Sequence, residues 1–537
     1  MEEITHQSKS AATIMLQGTA SDVGKSLLTT ALCRILRQDG YQVAPFKSQN
    51  MSLNSYITPD GKEIGRAQGM QADACGIAAT TDMNPILLKP TGNMSSQVVV
   101  HGKPYKDLNA RAYREQYLPI AETIVKEALA RLRSQNDVVV IEGAGSPAEV
   151  NLKDRDIVNM RLAGWAEAPV ILVADIDRGG VFASIVGTME ILEPHERDRV
   201  CGIIINKFRG DVSLLQPGVD WLEARIGKPV LGVVPYLPGL TLEDEDSLSL
   251  DHKLASGNQP ARVNELDIAV IRLPRISNFT DIDPLLHEPD VHVRYITSQR
   301  DFGTPDVVLI PGSKNTIEDL KFLHQSGIAA CLLNYVTQGG RIVGICGGYQ
   351  MLGERLIDPD GIESGNTNFN DYSHVAGLGI FPMETAFLSD KFTERVSGFV
   401  ATDFGISPHV TSSIGAHSQP PIQGYEIHMG QTQFLGPVTH PFQIKVDRTA
   451  DKTTQFHEEG AITADGRIWG TYIHGILHND EFRLVWLNRI RADKGLPLQE
   501  QIVAFGTLRE QSFDLLADHF RKYVDVEQIY QILQKGS

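Results

Sequence analysis

Short, unbroken apolar runs set the architecture open to this chain. They fall at residues 13–17, 138–141, 170–174 and 202–205, and again at 268–271, 307–310 and 341–345. Several are continuous rather than alternating. A strand with one wet face alternates apolar and polar residues, whereas a strand that is apolar throughout is covered on both faces, as in a parallel sheet flanked by helices. Segments 27–37 and 121–132 carry apolar residues at helical spacing and supply such cover. The expected fold class is α/β.

Two such series are present. Between them, near 240–265, the chain turns polar in Glu243-Asp-Glu-Asp-Ser and Ala255-Ser-Gly-Asn-Gln-Pro-Ala. That is a linker signature, so one domain is expected over 1–255 and a second over 262–537, with closing helices from Asp480 onward. At ~150 residues per domain the length alone allows two to four. The polar, Gly/Ser-rich stretches 358–373 and 407–423 read as surface insertions in the second domain.

Charge and cysteine content narrow the class. The formal net charge is −17, which argues against a nucleic-acid surface because phosphate contacts need clustered Lys and Arg. A local basic pocket for an anionic small molecule stays open. Five cysteines, with no C-x-x-C pair, exclude a disulfide framework and a Cys-rich zinc site. The acidic start lacks a signal-peptide pattern, and no run approaches the ~18 apolar residues of a membrane span. A soluble, cytoplasmic enzyme is expected.

Residues 18–26 read Gly-Thr-Ala-Ser-Asp-Val-Gly-Lys-Ser, after an apolar run and before a helical one. This is the context of a phosphate-binding loop. Gly24 lets backbone N–H groups approach phosphate, Lys25 adds a point charge, and the Ser26 hydroxyl can ligate Mg²⁺. The first glycine of the usual pattern is replaced by Thr19, with Gly18 one place earlier. Glu142, closing Asp137-Val-Val-Val-Ile-Glu, is placed to reach the metal at the sheet edge, or else caps a helix. Asn206, after the 202–205 run, sits where a base-contacting amide would.

With Glu142-Gly-Ala-Gly and the late Asn206, this loop resembles dethiobiotin-synthetase-type ATPases, which phosphorylate a carboxyl group. Lys47-Ser-Gln-Asn-Met-Ser, Asn84-Pro-Ile-Leu-Leu-Lys-Pro, Asp175-Ile-Asp-Arg-Gly-Gly-Val-Phe-Ala and Asn206-Lys-Phe-Arg-Gly-Asp narrow it. They resemble the cobyric acid synthase family, glutamine-dependent amidases of cobalamin biosynthesis. Lys47, Lys89 and Asp177 are the candidate contacts to substrate or phosphate; the alternative is that each is a solvated loop-edge charge.

In the second half, Arg341-Ile-Val-Gly-Ile-Cys-Gly-Gly-Tyr-Gln runs a strand into Cys346 and then a helix. Gly344-Ile-Cys-Gly-Gly is a cysteine nucleophile elbow, with the thiol at a helix N-terminus. The base is expected to be His474, in Gly470-Thr-Tyr-Ile-His-Gly, which resembles the histidine of class I glutamine amidotransferases; His428 is its rival. Gly347 and the loop at Gly312 and Ser313 are the candidate oxyanion donors. The usual Glu two residues after the histidine is Ile476, so the third member is open, with Glu426 a candidate.

The resemblance implies an N-terminal dethiobiotin-synthetase-like domain and a C-terminal class I amidotransferase-like domain. ATP and glutamine would be co-substrates, Mg²⁺ the metal, and a corrinoid the substrate, with four carboxylates (b, d, e and g) converted to amides. No nucleic-acid or membrane partner is implied, and the oligomeric state stays open. The alternatives are a cobyrinic acid a,c-diamide synthase, a CTP synthase (against which Ile476 speaks), and a nucleotide-switched P-loop binding protein with an inactive glutaminase domain.

Overall fold

The computed structural model describes residues 10–92, 95–109, 118–243, 261–363, 374–402, 404, 419–447 and 455–535. They form two compact units. The first holds 10–52, 63–243 and 507–535; the second holds 53–62 and 261–506.

The first unit is built on a six-stranded sheet. Its order is Val230–Pro235, Val200–Phe208, Val170–Asp175, Ala12–Gly18, Val138–Glu142, Val43–Phe46. Every pairing is parallel. The central strand buries Ile14, Met15 and Leu16 completely, as its unbroken apolar run requires. Helix Lys25–Gln38 covers one face through Leu28, Leu32 and Ile35. The edge strands Val43–Phe46 and Val230–Pro235 escape the apolar-run search because Pro45, Gly232 and Pro235 interrupt them. A second sheet, Gln49–Met51, Ile86–Gly92, Ser95–Val100 and Lys103–Asn109, was also not anticipated.

The second unit has its own six-stranded sheet. Its order is Val291–Ile296, Leu266–Ile271, Val307–Ile310, Ile342–Ile345, Ile468–Thr471, Ala461–Ile462. Only the last pairing is antiparallel. A long antiparallel pair, Met383–Val400 with Pro421–Phe434, adds a separate sheet. Of the two expected surface insertions, 364–373 and 407–418 lie outside the described residues, as does most of the expected linker (244–260).

The chain crosses the expected boundary twice. Helices Phe505–Tyr523 and Val526–Lys535 were expected in the second domain, but residues 507–535 pack in the first unit. Leu516, Phe520, Ile529 and Leu533 join the core of Ile14, Leu16, Leu32 and Ile35. Arg34 pairs with Asp514 at 2.8 Å and Arg521 with Asp39 at 2.7 Å. The apolar stripes of these helices need a partner surface, and the sheet beside helix Lys25–Gln38 is it. Conversely, residues 53–62 pack in the second unit, where Ile57 clusters with Tyr425 and Ile427. The Thr58 N–H closes that segment into a tight turn on the Lys62 carbonyl at 2.8 Å.

Candidate active sites

In the first unit, the loop after the central strand lies at the carboxyl edge of the parallel sheet, where α/β folds bind ligands. The Thr19 N–H is held by the Val173 carbonyl at 2.9 Å. Gly24 takes a φ of 96°, the left-handed region that glycine alone enters freely. A Cβ there would collide with the Asn206 amide. Asn206 itself donates to the Val23 carbonyl at 2.8 Å and so buttresses the loop.

Register places Glu142 beside Leu16 of the central strand and Asn206 beside Asp175. The Ser26 hydroxyl donates to Glu142 Oε1 at 2.8 Å, Lys47 Nζ to the same oxygen at 2.9 Å, and Gln71 Nε2 to Oε2 at 2.6 Å. Burial alone would raise the Glu142 carboxyl, but the Lys47 ammonium, with Gln71 and Ser26, holds it below the usual range. Lys25 Nζ rests on the carbonyls of Ala20 and Gly145 at 3.0 and 3.2 Å. Two hard oxygens, Ser26 Oγ and Glu142 Oε1, fit Mg²⁺, which commonly takes one or two protein ligands and completes its shell with phosphate and water.

Lys47 thus joins the group around Ser26 through Glu142. Lys89 does not share that carboxylate: it pairs with Glu63 at 2.5 Å, both side chains buried. Asp177 lies toward solvent, paired with Arg209 at 3.1 Å. The more buried carboxylate of that string is Asp175, which accepts from Lys207 at 2.9 Å. Gln71 was not anticipated; it lies in helix Arg66–Cys75, whose polar residues Arg66, Gln68 and Gln71 are all buried.

In the second unit, Cys346 follows strand Ile342–Ile345 directly and precedes helix Gly347–Met351. Its φ of 50° and ψ of −108° are strained for a residue with a Cβ. The turn is possible because its neighbours are small. A Cβ on Gly348 would collide with the Ile310 carbonyl oxygen, and one on Gly344 would stand 2.8 Å from the Gly348 carbonyl oxygen. Gly347 packs on the Pro311-Gly-Ser loop, where an added Cβ would lie 2.9 Å from the Ser313 nitrogen. Gly312 lies against His474 in the same sense, 3.0 Å from ring Cε1. The three expected oxyanion positions therefore gather at one point.

His474 follows the neighbouring strand Ile468–Thr471, whose Thr471 pairs with Ile345. Two adjacent parallel strands thus deliver thiol and imidazole to one sheet edge. The ring is fully buried, and its Nδ1 meets Asp281 Oδ2 at 2.7 Å. Asp281 Oδ1 also accepts from the Gly475 N–H at 2.8 Å. Burial opposes the imidazolium, but Asp281 and then the Cys346 sulfur outweigh it and push His474 up to about 10. Asp281, on the 3₁₀ helix Phe279–His287, is the residue that orients His474. This replaces Glu426, the sequence candidate, whose buried carboxyl is raised to about 8 by desolvation and by Glu459. A carboxylate shortly after strand Leu266–Ile271 was the only sequence signal for Asp281, and the sequence offers many such residues. The rival His428 has Nδ1 on the Gly430 carbonyl at 2.9 Å and, through desolvation, falls to about 4.

Residues 14–250 match the CobQ/CobB/MinD/ParA nucleotide binding domain, and residues 267–482 match the CobB/CobQ-like glutamine amidotransferase domain. A cobyric acid synthase of Geobacillus kaustophilus is 50% identical over 527 residues, covering 98% of both chains. Its counterpart in Geobacillus thermodenitrificans is 49% identical, covering 97% of this chain and 98% of that one. One from Desulforamulus reducens is 49% identical over 98% of this chain and 99% of its own. With half of all positions identical along nearly the whole length, and both domain models matched in order, the chain belongs to the cobyric acid synthase family.

Proposed function

We propose that this chain amidates the b, d, e and g carboxylates of adenosylated cobyrinic acid a,c-diamide, using one ATP and one glutamine for each. The observation that carries this is near-full-length identity of about half to proteins named cobyric acid synthase. The pairing of a phosphate loop with a Cys346–His474–Asp281 constellation supports it.

The chemistry needs both sites. A carboxylate resists ammonia because it is negatively charged and oxide leaves poorly. Attack of a carboxylate oxygen on the γ-phosphorus, with ADP departing, gives an acyl phosphate with a good leaving group. Lys25 and the loop N–H groups stabilise the charge on the transferring phosphoryl group. Ser26 and Glu142 would hold Mg²⁺, which neutralises phosphate charge when bound. Lys47, at Glu142, is placed to receive the substrate carboxylate.

At the second site the Cys346 thiolate attacks the glutamine side-chain amide. The oxyanion is received by the N–H of Gly347 and the Gly312–Ser313 loop. His474, steadied by Asp281, gives its proton to the departing ammonia and then takes one from the water that releases glutamate. Ammonia, as the neutral species with a lone pair, attacks the acyl phosphate and phosphate leaves. The reading places the enzyme in the cytoplasm.

The test is mass spectrometry of corrinoid products formed with ATP, Mg²⁺ and glutamine. Four successive losses of about 1 Da, OH becoming NH₂, are expected from the a,c-diamide. Two amidations of cobyrinic acid itself, with no further step, would assign the chain to a,c-diamide synthesis instead.

A further inference from the structure

A short antiparallel contact fixes the Pro311-Gly-Ser loop against residues 275–277. The Ser277 N–H donates to the Gly312 carbonyl and the Lys314 N–H to the Arg275 carbonyl, each at 2.9 Å. Ile276 and Ser313 stand opposite each other between these two bonds. In that register the backbone groups of the enclosed residue turn away from the partner strand. The Ser313 N–H therefore faces Gly347, where an added Cβ would lie 2.9 Å from the Ser313 nitrogen. The strand that sets this direction runs on to Asp281, which orients His474.

One side chain ties the two sides of this contact together. Asp319 Oδ2 accepts the Ser313 hydroxyl at 2.6 Å, and its two oxygens share the Arg275 N–H, each at 3.2 Å. The Arg275 guanidinium stands 3.7 Å from Oδ1. Ser313 Oγ in turn accepts the Asn315 N–H at 3.0 Å, which leaves the hydroxyl hydrogen for Asp319. Asp319 itself is held on a firm element. It lies in helix Thr316–Gln325, which is anchored through Ile317, Leu320 and Leu323 and capped by Asn315 Oδ1 on the Glu318 N–H at 3.0 Å. A carboxylate wholly removed from water costs free energy unless its oxygens are filled. Those of Asp319 are filled by the loop and by the strand that aims it.

We infer that Asp319 is a positioning residue for glutamine hydrolysis: by holding the Ser313 hydroxyl and the Arg275 N–H together, it keeps the Ser313 N–H aimed at the oxygen that turns negative when Cys346 attacks. This rests on the glutaminase chemistry proposed above. The amide oxygen of bound glutamine carries no full charge, so a loosened donor costs little in binding. Its cost falls on the transition state, where the charge develops and a preorganised donor is worth most.

The test uses the full chain and measures glutamate release from glutamine. Ser313→Ala removes the hydroxyl but keeps the backbone N–H. It should lower kcat about 10- to 100-fold and leave KM within about twofold. Ser313→Thr, which restores the hydroxyl, should recover most of that loss. Asp319→Asn keeps shape but has one acceptor oxygen for two donors, so kcat should fall in the same way. Because both variants break one link, the double variant should lie within about twofold of the less active single one. Alkylation of Cys346 by iodoacetamide, followed on its peptide by mass spectrometry, separates this from general damage. There the thiolate displaces iodide and no oxyanion forms, so all three variants should keep the wild-type rate within about twofold. An unchanged kcat in Ser313→Ala, a rise in KM in place of the fall in kcat, losses that multiply in the double variant, or an equal fall in alkylation would overturn the assignment. Failure of the underlying function looks different: wild type would release no glutamate, or Cys346→Ala would still release it.

Discussion

Asp281→Asn is the sharpest probe of the glutaminase site, because the substitution keeps shape and removes only charge. In the structure one carboxylate serves two donors at once: Oδ2 takes His474 Nδ1 at 2.7 Å and Oδ1 takes the Gly475 N–H at 2.8 Å. An amide has one acceptor oxygen. If it serves His474, its NH₂ faces the Gly475 N–H; if it serves Gly475, its NH₂ faces Nδ1 and selects the wrong tautomer. Both residues are buried, so water does not repair the loss. A hydrogen bond to a charged group contributes about 1.5–3 kcal/mol, which is roughly 10- to 150-fold in kcat/KM for glutamine. The alkaline limb of the profile should move down from about 10, since Asp281 is the main group raising His474. Glutamate release gives kcat/KM, and amidation from free ammonia serves as the control that should survive. Retention of wild-type kcat/KM within about twofold and an unmoved limb would refute the assignment. A larger loss in Glu426→Gln would return the role to that residue.

Other outcomes follow from the same contacts. Cys346→Ala should abolish glutamine-dependent amidation yet keep the ammonia-dependent reaction, whereas Lys25→Ala should fail with either nitrogen source in the product assay. Glu142→Gln removes the buried charge that accepts from Lys47, Ser26 and Gln71; a lower midpoint in urea unfolding is expected, with glutaminase retained. Burial would raise the Glu243 carboxyl, but Arg509 and then Arg66 hold it at about 2 instead of 4.5. Its contribution is present above pH 4.5 and is lost as pH falls toward about 2, so wild type should shed ~3 kcal/mol across that window and Glu243→Gln should not. Truncation after residue 506 removes Leu516, Phe520, Ile529 and Leu533 from the first unit's core. At ~1.5–3 kcal/mol each this approaches the ~5–15 kcal/mol that stabilises a whole domain, so proteolysis should degrade the first unit.

The residues that were legible from sequence share one property: their chemistry is local. Lys25 and Ser26 need a strand, a glycine-bearing turn and a helix start, all within residues 12–38. Cys346 needs a strand and small neighbours within a few positions. Even Glu142 and His474 were found by what precedes them, since a residue just after a buried parallel strand must emerge at the sheet's carboxyl edge. Lys89 lies apart from that edge, because the strand it occupies, Ile86–Gly92, belongs to another sheet and presents it to Glu63.

What sequence alone determined is therefore the pair of parallel-sheet cores and the local settings of the phosphate loop, of Cys346 and of His474. Tertiary structure decided the rest. Asp281 meets His474 across 193 positions, and no short pattern encodes such a contact. Helices after residue 506 return to the first unit because an apolar stripe docks on whatever surface is complementary, regardless of chain order. Residues 53–62 leave the first unit for the same reason, and in doing so bring Ser55 to Asn278 and Tyr425, which both contact His474. Periodicity and turn chemistry act over a few residues; which of the resulting surfaces meet depends on their shape and charge in three dimensions.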